Sequence, residues 1–358
     1  MQVNEIPNRV FYKDGEEFLY FGGTNYLGVT TLPEFQEIML KSFQKWGTSY
    51  GSSRSANIQL EIYKTAEDLL AKQIGTDSAV TVSSGMLAGK LALEQLQHST
   101  DLLFHFPSTH PALMHPSSLP LIQNGKLNPF LLDSSVTRIG IVADAIPSLD
   151  VNPIDLSILQ DIPKSTTITL LLDESHSFGL LGEHGQGVLN QYQLPSLHQK
   201  ITIASLGKAA GLTGGFIAGD FQFIEAIKKQ QNFIGASGMN PAFLETFIKA
   251  QSIYDVQRKA LSENLNYVSK NLTPNEALTF TATYPVIYFD QEELLQMLLE
   301  NNIIPTSFPY PTASGKLSRI VISAHHTTTD LDRMIQQLNI FTQLTSGSDL
   351  GGDILFVL

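Results

Sequence analysis

The chain contains no cysteine. That excludes disulfides, thiolate metal centres and a cysteine nucleophile, and it fits a reducing compartment. No apolar run approaches the ~20 residues that a membrane-spanning helix needs. The N-terminus shows no basic segment followed by an apolar stretch, so neither a secretory signal nor a membrane partner is expected. Positive charge is scarce: 22 Lys and Arg stand against 34 Asp and Glu, a net charge of −12. The basic residues form no stripe, which argues against nucleic-acid binding. An acidic protein draws no anion from a distance, so a site for one must supply positive charge locally. What remains is a cytoplasmic globular protein. Its 358 residues are long for one core, which points to one large domain and a smaller one.

Periodicity supplies the organisation. A hairpin is expected around Asp14-Gly15, with a strand over Phe18 to Phe21 and a helix over Pro33 to Phe43 capped by Thr31. Helical spacing runs from Ile58 to Ile74, and Ser78 to Val82 reads as a strand that turns at Ser83-Ser84-Gly85-Met86 into another helix. Strands over Leu102 to Phe104, Ile139 to Val142, Thr166 to Leu172 and Ile201 to Ile203 follow, with a helix over Pro153 to Leu159 between them. Such alternation predicts a mostly parallel sheet with helices on both faces. Pro241 to Asn271 reads as helix-rich. Beyond it, Val286 to Phe289, Gln291 to Asn301, Ser318 to Ser323 and Asp330 to Leu344 suggest a small α/β layer, and the tail from Ser346 is left unassigned.

Lys208 is the most informative residue. It lies in Ser205-Leu206-Gly207-Lys208-Ala209-Ala210-Gly211, directly after a β-branched run. Open α/β sheets hold ligands at the carboxyl edge of their strands. A lone lysine is ordinarily a solvated surface residue; here the flanking glycines allow close approach, and Ser205 offers a hydroxyl. Asp173 ends the upstream strand in Asp173-Glu174-Ser175-His176. Taken alone it is a helix cap, but a strand-end carboxylate can also hold the proton of a ring nitrogen. An amine able to form an imine together with such a carboxylate is the protein half of a pyridoxal phosphate (PLP) site. The junction Ser83-Ser84-Gly85-Met86 presents backbone amides to a phosphate or is an ordinary βα turn. His110 stacks on a ring or is a loop histidine, and with His105 and His115 it matches no zinc spacing, so no metal is expected. Arg319, at a strand start, grips a carboxylate or makes a surface ion pair.

In chain order, Asn25-Tyr26-Leu27-Gly28, Tyr50-Gly51-Ser52-Ser53-Arg54, Ser83-Ser84-Gly85-Met86, Thr109-His110-Pro111-Ala112, Asp173-Glu174-Ser175-His176, Leu206-Gly207-Lys208 and Ser323-Ala324-His325-His326-Thr327 resemble the α-oxoamine synthases, the PLP enzymes that include 8-amino-7-oxononanoate synthase. The resemblance covers nearly the whole chain. It implies an α/β fold, the PLP-dependent transferase fold type I, with a mostly parallel central sheet in a large domain and a small C-terminal α/β domain. The implied divisions are an N-terminal segment, 1–45, packing with the small domain; a PLP-binding domain, 46–235; and the small domain, 236–358. Lys208 would carry the cofactor and shuttle the proton, Asp173 would pair with the pyridine nitrogen, His176 would contact the phenolic oxygen, and His110 would stack on the ring. Ser84, Gly85, Met86 and Ser205 would hold the phosphate, which Ser237 would reach from the partner of a homodimer. Arg319 and Asn25 would bind the amino-acid substrate. The implied activity condenses a small amino acid with an acyl-CoA-type thioester through an external aldimine carbanion. An aminotransferase, a β-hydroxy-amino-acid lyase and a non-catalytic subunit are the alternatives. The sequence departs from the family pattern at Leu317, where a first arginine is usual, at Tyr63, where a histidine is usual, and at Asp144 to Ser148.

Overall fold

The Thr167–Asp173 strand shows how this chain builds its centre. Leu170 and Leu172 join one apolar cluster, whereas Leu171 joins another on the opposite face. Successive side chains of a strand alternate between faces, so a run of leucines fills both sides only in a sheet covered on both. Ile201 and Ile203 of the next strand join the cluster of Leu171, beneath the Gly85–Ser99 and Phe221–Lys228 helices. The computed structural model describes residues 1–133, 135–195, 197–309 and 316–347, with residues 346 and 347 described by their backbone alone.

Seven strands form this sheet, in the order Ser78–Val82, Gly215–Gly219, Leu197–Ser205, Thr167–Asp173, Arg138–Asp144, Leu102–His105 and Leu119–Pro120. Gly215–Gly219 runs antiparallel to both neighbours, and the remaining pairs are parallel. This is the mostly parallel α/β sheet that the sequence predicts.

A second sheet of six strands joins the two ends of the chain. The N-terminal hairpin, Val10–Lys13 with Glu16–Phe21, turns at Asp14-Gly15 and pairs with Ile303–Pro309 through Leu19 and Ile303. Lys316–Val321, Tyr284–Phe289 and Thr279–Thr281 complete it. The Ser323-Ala324-His325-His326 block then ties the loop after the hairpin to this sheet. Ser323 Oγ donates to the Asn25 carbonyl at 2.8 Å and the Ala324 amide to the Tyr26 carbonyl at 2.9 Å. His326 accepts from the Ser323 amide, reaches the Tyr20 carbonyl and stacks on Phe21 at 4.1 Å. Gly28 is obligatory here: its φ is 64°, and a Cβ would lie 2.7 Å from His325 Nδ1.

Two local expectations give way. The first long helix, Pro33–Trp46, begins after Leu32 with no side-chain cap, and Pro33 at its first turn takes the place of a Thr31 cap. Pro153 to Leu159 is not an α-helix; only a 3-10 turn forms, Ser157–Asp161. Asp155 there bonds both the amide and the hydroxyl of Ser157, a local turn that competes with a helix. Residues 348–358, most of the unassigned tail, lie outside the described residues. Among the described residues no helix is long and apolar enough to cross a membrane.

Candidate active site

Strand register gathers the site at one edge of the seven-stranded sheet. Asp144 lies beside Asp173, Asp173 beside Ile203, Ser205 beside Gly215, and Gly215 beside Val82. The loops that follow Val82, Asp144, Asp173 and Ser205 therefore all open on the same side. The loop after Ser205 closes on itself, with Leu206 donating to the Gly214 carbonyl and Leu212 to that of Leu206. Lys208 sits inside it. Burial pushes the Lys208 ammonium down to about 8, against the pull of Asp173 and Asp144.

Asp173 is 8% exposed, and its Oδ1 accepts the Ser175 amide at 2.8 Å. Asp144 is buried as well and accepts the His110 amide at 3.2 Å. Burial, followed by the neighbouring charge of Asp173, pushes the Asp144 carboxyl up to about 8. Lys208 and Asp144 thus both shift toward their neutral forms, while Asp173 is the carboxylate that pulls hardest on the lysine.

The two histidines that the sequence singles out belong to the same cluster. His110 feels the charges of Asp173 and Lys208, and His176 those of Lys208, Arg319 and His110. Burial lowers the pKa of both rings, so both are neutral near pH 7. His110 Nδ1 accepts the Ala112 amide at 3.2 Å, which leaves its proton on Nε2. His105 and His115 bond to Ser118 and Ser117 instead, and among the described residues no group of side chains could hold a metal ion.

Arg319 reaches this cluster from the other sheet. On the Lys316–Val321 strand it lies between Thr306 and Tyr288 in register, and Tyr26 and Tyr284 act on its charge. It is 8% exposed, and its buried Nε has no partner. An unpaired buried guanidinium nitrogen is costly and suits an anion not present in the chain itself. Nearby, Asn25 Nδ2 donates to Thr30 Oγ1 at 2.8 Å, while its buried Oδ1 is also without a partner.

The residues expected at the phosphate divide. Ser84 caps the Gly85–Ser99 helix, its Oγ accepting the Leu87 amide at 3.1 Å. The Gly85 and Met86 amides make no hydrogen bond among the described residues. Ser205 lies against them, because a Cβ on Gly85 would stand 2.7 Å from the Ser205 Cβ. Ser237 is elsewhere: it is exposed on a cavity of about 520 Å³ lined by Thr48 to Ser53. That loop is pinned by Arg54, which bonds the Thr81 carbonyl at 2.7 Å, pairs with Glu67 and lies over the Tyr63 ring. Tyr63 in turn donates to the Met239 carbonyl at 2.7 Å.

The sequence pattern gives no role to Asp144, which lies two residues beyond the strand expected over Ile139 to Val142 and ends the observed one. It also assigned none to Tyr26 or Tyr284, although Tyr26 lies within a quoted motif. Pairing register across distant segments was the missing information.

The family model for aminotransferase class I and II matches residues 149–338. The chain is 27% identical over 362 residues to the 8-amino-7-oxononanoate synthase of Dechloromonas aromatica, covering 94% of this chain and 93% of that protein. It is 24% identical over 352 residues to the serine palmitoyltransferase of Sphingobacterium spiritivorum, covering 92% and 88%. Among solved structures, the serine palmitoyltransferase of S. paucimobilis with bound PLP–myriocin aldimine has a TM-score of 0.76 at 19% identity, covering 93% of this chain and 89% of that one. The 8-amino-7-oxononanoate synthase of Francisella tularensis has a TM-score of 0.67 at 22% identity, covering 93% and 99%.

Proposed function

The chain belongs to the aminotransferase class I and II family, and from that premise we propose that it is a PLP-dependent acyltransferase that condenses a small amino acid with an acyl-CoA-type thioester. The observation that carries this reading is the meeting of a half-buried amine of lowered pKa, Lys208, with the Asp173 carboxylate and the unpartnered Arg319 Nε at one sheet edge. The relatives named above, two kinds of acyltransferase, favour this over the other chemistries of the family.

The residues present fit PLP. Lys208 would supply the amine, Asp173 would hold the ring-nitrogen proton, and the Gly85 and Met86 amides with Ser205 would receive the phosphate. When bound, PLP supplies an aldehyde for the amine and a protonated pyridine that accepts the electron pair left by a departing α-proton. Arg319 holds the amino-acid carboxylate and, with Asn25, orients the α-carbon. Lys208 takes the α-proton. His110 would lie against the bound ring, and His176 would donate a hydrogen bond to its oxygen. The α-carbon would then attack the thioester carbonyl; a C–C bond forms, the C–S bond breaks, and the sulfur leaves as a thiolate. We place Ser237 at the partner subunit's phosphate in a cytoplasmic homodimer.

The deciding assay offers amino acids and acyl-CoAs together and separately. Thiol release that requires both substrates is expected. A keto acid or an aldehyde released from the amino acid alone would reassign the protein to the aminotransferases or the lyases, and no turnover with any substrate would make it a non-catalytic member.

Two further outcomes follow. Only the unprotonated amine attacks an aldehyde, so PLP capture by the free protein rises about tenfold per pH unit at low pH and levels off above about 8. Borohydride reduction followed by peptide mapping reads this at Lys208, and a midpoint near 10 would contradict the burial argument. Arg319→Gln raises KM for the amino acid on the order of 10²-fold, with a smaller change in KM for the acyl donor. Equal changes in both constants would refute the carboxylate assignment.

A further inference from the structure

Tyr26 is fully buried, and its hydroxyl lies 2.8 Å from His176 Nδ1. Tyr284, 1% exposed, lies close enough to act on the same hydroxyl. The three side chains come from the loop after the N-terminal hairpin, a strand of the six-stranded sheet and the edge of the seven-stranded sheet. The contact therefore exists only where the two sheets meet.

A proton count orients this hydrogen bond. Burial raises the Tyr26 phenol to about 12 and holds His176 well below its ordinary value, so both groups are neutral at pH 7. Two arrangements would satisfy the 2.8 Å contact. In one, Tyr26 donates to a bare Nδ1; in the other, an Nδ1–H donates to Tyr26. The buried hydroxyl itself decides between them. Among the described residues its one hydrogen bond is the contact with His176, and an Nδ1–H donor would leave the phenolic hydrogen buried and unpaired, which is costly. The Tyr26 hydrogen therefore goes to His176 Nδ1. The histidine proton is left on Nε2, for which the described residues provide no partner.

We propose that Tyr26 is a positioning residue: with Tyr284 behind it, it locks His176 in the Nε2–H tautomer, so that the site presents a hydrogen-bond donor to the ring oxygen of its cofactor. This rests on the PLP reading for the identity of the acceptor, but the tautomer itself does not depend on it. A bare Nε2 would set a lone pair against that oxygen. The arrangement also links the histidine to substrate capture, because Tyr284 lies on the strand paired with that of Arg319, and the Tyr26 carbonyl is held by Ala324 just beyond it.

The test is ¹⁵N NMR of the full-length protein carrying ¹⁵N-histidine, with and without PLP, the His176 signals being assigned by their loss in His176→Asn. The native protein should show an unprotonated Nδ1 and a protonated Nε2, in a ratio above about 10 to 1 over the other tautomer. Tyr26→Phe, which keeps the ring packing, should bring that ratio to about 1 to 1, and Tyr284→Phe should lower it less. A native protein with Nδ1–H, or a ratio unchanged in Tyr26→Phe, overturns the proposal. The native spectrum alone decides the first point even if the variant does not fold. Borohydride trapping at Lys208 is read on the same samples. Loss of trapping with the tautomer as expected removes the cofactor reading and leaves the tyrosine assignment standing, and the opposite pattern does the reverse.

Discussion

Lys208→Ala leaves no borohydride-trapped PLP on the protein and lowers kcat by at least about 10³-fold. Lys208→Arg does the same, which separates a nucleophile from a mere positive charge, since a guanidinium does not deprotonate near neutrality. The alanine variant also changes stability in a specific direction. The Lys208 pKa lies near 8 in the folded protein, below the 10.5 of a free lysine. The folded state therefore binds fewer protons than the unfolded state between those values, and stability rises with pH across that window. In Lys208→Ala this rise disappears, and the variant is at least as stable as the parent at pH 7. Thermal unfolding from pH 7 to pH 10 measures it. Trapping at another lysine with equal yield would sink the assignment.

Asp173→Asn lowers kcat on the order of 10²- to 10³-fold, because the ring-nitrogen proton loses the charge that holds it. Trapping at Lys208 persists, which distinguishes this variant from the first. Its midpoint moves below about 8, since Asp173 is the larger of the two carboxylate pulls on the amine. The Asp144 carboxyl falls from about 8 as well, because a like charge beside it is gone. The two shifts go together only if Asp173 lies beside both Lys208 and Asp144. A kcat within tenfold of the parent, or an unmoved midpoint, would separate Asp173 from the reacting atoms.

Much of this was legible in the chain itself. The run Thr167 to Asp173 reads as a strand because β-branched and apolar residues persist until an acidic residue stops them, and the structure places that strand at the centre of the sheet. Lys208 stood out because small residues surround it. Local competition was harder to see. Asp155 offered Ser157 a turn where hydrophobic spacing suggested a helix, and Pro33 began a helix without the cap assigned to Thr31.

The residue pattern by itself determined the alternating elements, the lysine, and the carboxylate and histidine near one another in the chain. Folding decided what stands beside them: Asp144 against Asp173, Arg319 facing Lys208 from a second sheet, and Tyr26 between Tyr284 and His176. Periodicity is a property of neighbouring residues, and it survives in any sequence window. Which strand lies beside which, and in what register, depends on pairing between segments that are far apart along the chain. In this protein that pairing sets the protonation of the site, because it buries each group and then supplies the neighbouring charges that act on it.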